Sequence, residues 1–346
     1  MIYLIFVIPF LFTSIVDVIQ NKRNNIILTL SAVFLILFAG LRDGVGTDWP
    51  AYKHFYQYGV DNVEIGYAFI NNFFKSLDFP FYIFLIFINF ISIGLITKAS
   101  IKLSAIPILS LLIYYSDLYF YFNFSGMRQA LALSIIIFSL TYSFGPKRNI
   151  YIFLGLILCA ITFHISSIIF SLAYFIPRRK LNKKEYIILL VSFTFFSSLV
   201  YLASSFLTGI FAAKAEFYLE HQEQSTNIIV LFSVGLARRL IPIILILFFG
   251  KNQILENKLS AYLFNLYLIG FGIYATTYLI SPDIGVRMSV YFTVLEMFLL
   301  ANLVYLVKRT DIKFIVLLII FAVAIYKIST YLNYPAYEYN WIIDKI

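Results

Sequence analysis

One cysteine, Cys159, and three histidines are all the soft-ligand chemistry that these 346 residues offer. Cys159 lies inside an apolar run, so no disulfide framework is available, and no His or Cys spacing suits zinc. There is no Walker A loop, and no Asp-x-Asp pair of the kind that holds a nucleotide-bound metal. The string GFGIYA at 270–275 resembles half a dinucleotide fingerprint, but no strand pattern precedes it and its surroundings are apolar, which dismisses it. Neither a cofactor nor a metal is expected. Charged residues are scarce as well, at 12% against the roughly 25% of soluble domains. No repeat of fixed period and no low-complexity linker divides the chain, so residues 1–346 read as a single integral domain.

What is abundant is apolar sequence, 62% of the residues with a mean hydropathy of +0.90. Runs near 2–19, 25–41, 80–97, 103–121, 128–144, 150–177, 186–207, 228–249, 259–280, 287–307 and 312–332 each approach the roughly 20 residues a helix needs to cross a bilayer. The expected fold is therefore an all-α polytopic integral membrane protein with about 11 transmembrane segments. The first run has neither a basic leader nor a small-residue cleavage site and reads as a retained span.

The net charge of +9 is unevenly placed. Sixteen of the 26 lysines and arginines fall in six short connections: Lys22 and Arg23; Lys98 and Lys102; Lys147 and Arg148; Arg178, Arg179, Lys180, Lys183 and Lys184; Lys251 and Lys258; Lys308, Arg309 and Lys313. The positive-inside rule puts all six on the cytoplasmic side, which accounts for the basic balance through anionic headgroups and leaves no reason for a nucleic-acid partner. Both termini then lie outside. Parity fails once, because the 150–177 run has basic clusters at both ends. Two short arms meeting at a bend near Thr162, Phe163 and His164 resolve it, and arms of about 14 residues reach only about 20 Å, so the bend lies at depth. The outer segments 42–79, 208–227 and 333–346 carry Asp43, Asp48, Asp61, Glu64, Asp78, Glu216, Glu220, Glu223, Glu338 and Asp344. Within 42–79, Gly44, Gly46, Asp48 and Pro50 make a loop, while 64–76 places residues 65, 69, 73 and 74 on the apolar face of a short surface helix. The 208–227 stretch reads as an outer-face loop or lid.

Arg42, Arg128 and Arg287 stand against this charge bias, on the outer side. Ser125 is a candidate N-cap for a helix with Arg128 and Gln129 in its first turn, and Arg287 follows Ser281, Pro282, Asp283 and Gly285 in a similar way. Two helix starts, each carrying about half a positive charge and a guanidinium fork, suit a diphosphate. The plainer reading is interfacial arginines that snorkel to headgroups or bridge Asp283 and Asp117. Arg238 and Arg239 lie near the middle of an apolar run, where a charge costs about 2.5 kcal/mol or more without a cavity or partner. Gly235 and Pro242 permit a break there, and a buried pairing with Asp17 or Glu296 is the structural alternative. His164, followed by Ser166 and Ser167, is a candidate acid or base, or a hydrogen-bonded structural histidine. Asp48 and Glu64 are the outer carboxylates expected to face a cavity, since Trp49, Tyr52, Gly66 and Tyr67 beside them offer aromatic surface and close backbone approach. Tyr331, Tyr334, Tyr337, Tyr339 and Trp341 stack on sugars or form an interfacial belt.

The runs GLRDGVGTDWPAY (40–52), EIGY (64–67), GMRQALALS (126–134) and FHISS (163–167) resemble the EpsG-type polysaccharide polymerases, a branch of the Wzy O-antigen and capsule polymerases. The resemblance is carried by residues 35–175. It implies a GT-C type membrane glycosyltransferase that joins oligosaccharide repeat units on undecaprenyl pyrophosphate at the outer face of the cytoplasmic membrane. By it Arg42, Asp48, Arg128, Gln129 and His164 are expected to matter, whereas Arg238 and Arg287 rest on the physical argument. The expected diphosphate ligands are Arg42, Arg128, Arg287 and Arg238, with His164, Asp48 or Glu64 as base and Gln129, Tyr52, Tyr67 and Trp49 as substrate contacts. Expected partners are undecaprenyl-pyrophosphate-linked glycans, the lipid bilayer and a chain-length regulator. A flippase or transporter of the same lipids, an O-antigen ligase and a non-catalytic scaffold are the competing classes. The lack of internal symmetry argues against a transporter, and five arginines away from the cytoplasmic loops argue against a scaffold.

Overall fold

The computed structural model describes residues 2–59, 63–144, 148–220 and 227–342, with the backbone alone over 203–220. Among these residues the chain is mostly helical, with no strand and one isolated bridge between Arg42 and Trp341. Seven of its helical segments are long and apolar enough to cross a membrane, and four shorter apolar helices stand among them. This is a polytopic helical membrane protein.

In chain order the helices are α1 (Ile2–Ile5), α2 (Val7–Gln20), α3 (Asn25–Gly40), α4 (Trp49–Tyr58), α5 (Ile65–Ser76), α6 (Phe81–Leu103) and α7 (Pro107–Tyr114). A π-helix over Tyr115–Ser125 continues α7, and α8 (Met127–Ser143) and α9 (Ile150–Ile161) follow. A 3-10 arm, Ile165–Phe175, leads into α10 (Lys183–Glu220), α11 (Ile228–Phe249), α12 (Lys251–Glu256) and α13 (Lys258–Thr277). The chain ends with α14 (Pro282–Thr293), α15 (Glu296–Leu306), α16 (Thr310–Leu332) and a 3-10 turn at Pro335–Tyr337. Asparagines begin five of these helices, Asn182 capping α10 through the backbone N–H of Glu185. The side chains of Asn24, Asn149, Asn227 and Asn257 accept from the backbone N–H of Ile27, Ile152, Ile229 and Ser260, satisfying donors that the first turn leaves open.

The basic connections gather at one end of the bundle. Arg23 donates to Ile101 O at 3.0 Å, Lys102 stands over the rings of Phe138 and Tyr142, and Arg178 donates to Ser143 O at 2.8 Å and Tyr174 O at 3.0 Å. The 150–177 run is the bent hairpin that parity requires. α9 and the 3-10 arm pack together antiparallel, with Phe153 and Tyr174 rings 5.5 Å apart and Arg148 4.4 Å from the Tyr174 ring. At 1.5 Å per residue for α9 and 2.0 Å for the tighter arm, both limbs reach about 20 Å, and the tip at Thr162–His164 lies inside the protein.

Several boundaries differ from the sequence reading. Residues 208–220 continue α10 as helix rather than forming a loop, because alanines and other good helix formers fill that stretch. Residues 221–226 of the expected lid, Asp61, Lys147, Glu223, Asp344 and the side chains of Glu216 and Glu220 lie outside the description. α11 runs unbroken through Pro242. On α5 the apolar stripe of Ile65, Phe69 and Phe73 is exposed, as on a surface helix, but Phe74 departs from it and turns inward with Tyr67 and Asn71. An amphipathic helix at a membrane surface has lipid on one side and protein on the other, so its most apolar stripe need not face the protein.

Charge inside the bundle is handled by pairing. Lys327, one lysine within the apolar α16, bridges Asp117 of the π-helix at 2.9 Å and Glu296 of α15 at 2.8 Å. Both Lys327 and Glu296 are only 7% exposed, so each depends on the other for what water no longer supplies. Nearby, Asn123 donates to Asn89 Oδ1 and Ser92 Oγ, each at 2.8 Å, and accepts from Tyr114 at 2.6 Å. These polar contacts hold the π-helix, a rare geometry, against α6, α15 and α16. Replacing Lys327 with Met strands two carboxylates and is expected to cost about 3–5 kcal/mol, most of it recovered in the triple variant D117N/E296Q/K327M. Thermal unfolding in detergent measures both, and a K327M variant as stable as the parent refutes the pairing.

Candidate active site

Four sequence motifs meet at the end of the bundle opposite the basic connections, and the first of them is anchored by Arg42. Its backbone pairs with Trp341, and its guanidinium donates to Val45 O at 3.1 Å, Phe124 O at 3.0 Å and Ala39 O, while lying 5.0 Å from the Phe124 ring centre. Arg42 is fully buried. Burial pushes its pKa down to about 10, against the pull of Tyr119, Tyr339, Tyr52 and Tyr337, and it stays protonated at neutral pH. Its donors are consumed by carbonyls, so it ties the 40–49 loop to the start of α8 and has no fork to offer a diphosphate. Gly46, at φ +107°, completes the tie: a Cβ there would strike the carbonyl of Phe124. Thr47 N donates to Ser125 Oγ at 3.0 Å. Ser125 is therefore occupied elsewhere, and α8 is capped at Gly126 without a side-chain bond.

α8 begins at Met127, which puts Arg128 and Gln129 in its first turn, where the helix dipole favours anions. Arg128 Nη1 meets Glu64 Oε2 at 2.5 Å, and its backbone N–H points to the Tyr52 hydroxyl at 3.4 Å. Tyr52 and Tyr67 lie ring to ring at 5.5 Å beneath this pair. Arg128 Nε and the Tyr67 hydroxyl are buried without a protein partner, two polar groups available to a ligand. Glu64 is delivered by the start of α5, and Gly66 explains how: its N–H donates to Thr162 O at 2.8 Å, and a Cβ would collide with the Thr162 side chain. The second motif is thus docked onto the hairpin tip that carries the fourth.

His164 ends that tip, 9% exposed, with Nδ1 2.7 Å from Ser166 Oγ and 3.4 Å from the Tyr291 hydroxyl. The charges acting on it are Glu64, Arg287, Arg128 and Asp283. Gln129 Nε2 donates to Arg287 O at 3.2 Å, which brings α14 against α8 beside the histidine. Arg287 itself pairs with Asp283 at 2.6 Å, and both are partly exposed at the rim. α14 starts at Pro282, so Arg287 belongs to its second turn rather than to the helix start expected for it. Of the two arginine-bearing helices, α8 alone presents its arginine in the first turn.

The remaining candidates are elsewhere. Asp48 is exposed and takes a bond from Thr47 Oγ1 at 3.1 Å, four residues before Tyr52 on the edge of the cluster. Trp49 is buried edge-on against Phe81, with Lys53 over its face, and turns away from Arg128. Arg238 and Arg239 belong to the interior charge centre. Their guanidinium groups lie over Tyr326 and Tyr274, and the carboxylate they act on is Asp117, not Asp17, while Glu296 is taken by Lys327. Adjacent residues on an unbroken helix diverge by about 100°, and these two do. Two contributors escaped the sequence reading. Tyr291 follows Arg287 by one turn, a spacing that marks a shared face, and Lys327 is the one cation between Phe314 and Leu332.

The sequence profile of the EpsG family matches residues 25–342. The chain belongs to the EpsG family. Membership confirms the resemblance read from the four motifs and extends it through the second half of the chain. It makes this a polysaccharide-polymerase-like membrane protein, with the glycosyltransferase-like activity associated with that family. No curated protein and no solved structure matches the chain. In this EpsG family member the motifs serve two ends: GLRDGVG and GM build the frame, whereas EIGY, RQ and FHIS supply the polar cluster. Exchanging Arg42 for Gln is expected to cost about 2–4 kcal/mol of stability. Unfolding in detergent tests this, and an R42Q protein of parental stability that has lost substrate affinity would return Arg42 to the ligand set.

Proposed function

We propose that this protein is a GT-C-like polymerase that joins undecaprenyl-pyrophosphate-linked oligosaccharide repeat units at the outer face of the cytoplasmic membrane. The observation that supports it best is the convergence of Arg128, Arg287 and His164 on the contact between Gln129 and Arg287. The diphosphate of the lipid carrying the growing chain enters at the start of α8 and takes the positions that Glu64 and Asp283 occupy on the two guanidinium groups. A bidentate fork holds phosphate oxygens better than a single carboxylate oxygen, and the α8 dipole adds to the attraction. Arg128 Nε and Tyr67 give further donors.

Displacement by the diphosphate frees Glu64 beside the acceptor. A hydroxyl oxygen of the second lipid-linked unit attacks the anomeric carbon, its proton passing to Glu64 or His164. The bond from that carbon to the diphosphate breaks, and its electron pair leaves with the diphosphate oxygen, where Arg128 and Arg287 neutralise the growing charge. Fixed cations at that point are worth most because water is scarce. A single displacement inverts the anomeric centre, and the arginines supply the electrostatic stabilisation without a metal. Tyr52 holds the backbone of Arg128, Gln129 holds the backbone of Arg287, and Tyr291 with Ser166 fixes the imidazole.

Replacing Arg128 with Ala is expected to lower turnover about 100- to 1,000-fold while insertion in the membrane is unchanged. Purified protein incubated with lipid-linked repeat units, followed by gel separation of the products, measures it. A normal ladder from R128A would sink the site, and flipped but unjoined lipid from the parent protein would point to a transporter.

A further inference from the structure

Residues 333–342, after α16, cross this end of the bundle as a strap and line a cavity of about 370 Å³ against α1. That volume is at the small end of the roughly 300–1,000 Å³ typical of ligand pockets. Its walls include Tyr3, Asn333, Tyr334, Tyr337, Glu338 and Tyr339. We propose that this cleft is a glycan subsite, holding sugar rings of the lipid-linked substrate next to the arginine cluster. The inference rests on the polymerase reading for the identity of the ligand.

The strap is held rigidly enough to be a binding wall. Asp43 N donates to Asn340 O at 2.9 Å, Gly46 N to Ala336 O at 2.7 Å, and Ile342 N to Leu41 O at 2.9 Å. Tyr3 donates to Tyr337 O at 2.5 Å, and Tyr339 donates to Phe38 O at 2.7 Å while stacking on the Phe38 ring at 4.2 Å. Tyr337 shares a hydrogen bond of 2.9 Å with Ser125, which stands three residues before Arg128 and holds Thr47 as well. The cleft is therefore joined to the start of α8 by one side chain.

Its chemistry fits carbohydrate. Sugars present flat C–H faces and a rim of hydroxyls, so they are met by aromatic faces with carboxylate and amide groups at the edge. Tyr334 is 53% exposed and offers an open ring, and the exposed Asn333 and Glu338 flank it. A cleft for an acyl chain would want apolar side chains at those positions, and an anchor in the bilayer interface would have no use for a pinned cavity.

The test uses the full-length protein in detergent and, as probe, the repeat-unit oligosaccharide released by mild acid from the producing strain's own lipid-linked pool. Binding is followed by Trp fluorescence, since Trp341 lies 4.9 Å from Tyr339. Tyr334→Ala and Glu338→Gln are expected to weaken binding about tenfold or more, as truncating an exposed aromatic anchor does, with Tyr334→Phe retaining it. Arg128→Ala is expected to bind the free oligosaccharide as the parent does, because the probe has no diphosphate. Parental affinity in both Y334A and E338Q, or no binding by the parent, overturns the subsite. Should the parent bind the glycan and the variants lose it while no polymer forms from lipid-linked units, the polymerase reading fails and the subsite stands.

Discussion

A cation removed from water must be surrounded by oxygen, and that requirement organises this protein from its core to its outer face. Arg42 meets it with three backbone carbonyls, Lys327 with two carboxylates, Arg128 with Glu64 and Arg287 with Asp283. The four solutions differ in how replaceable the oxygen is. Carbonyls at Arg42 belong to the backbone and cannot leave without unfolding the loop, and Lys327, 7% exposed, is shut in among α15, α16 and the π-helix. The carboxylates on Arg128 and Arg287 sit on surface-facing turns, partly exposed, where an incoming anion can take their place. Burial therefore separates the framework cations from those able to bind a ligand.

The second constraint is geometric. A histidine can be held at depth opposite the basic end only if the chain enters and returns on one side, and the hairpin of α9 and the 3-10 arm does this with two short limbs. Its tip is then stabilised from above by the start of α5, where the absence of a side chain on Gly66 lets two backbones touch. The same contact sets Glu64 against Arg128. A single close approach thus couples the placement of the imidazole to that of the carboxylate, and the Gln129 bond to α14 closes the ring around them.

Much of this was legible along the chain. The apolar runs, the basic connections and the parity failure at 150–177 located the hairpin and its bend, because bilayer thickness and charge sidedness act on segments of sequence directly. Aromatic neighbours marked Glu64, and the motifs marked Arg128, Gln129, His164 and the exposed Asp48. They marked Arg42 as strongly, since a residue that builds a site and one that binds its ligand leave the same trace in a motif. Arg238 was placed with the others on charge alone, and only packing puts it over Tyr326 beside Asp117. On α5 periodicity located the exposed stripe of Ile65, Phe69 and Phe73 but not the helix's neighbour, and Phe74 packs inward instead.

Sequence by itself determined the solvent in which this chain folds, the gathering of its basic connections, the need for a re-entrant turn and the family to which it belongs. These follow from composition, period and motif, which are properties of neighbouring residues. Tertiary structure decided which arginine keeps a replaceable partner, which acids answer Lys327, and that residues 333–342 close over the first helix. Those outcomes depend on contacts between residues up to some 300 positions apart, such as Tyr339 with Phe38, and no local pattern encodes where a guanidinium will find its oxygen.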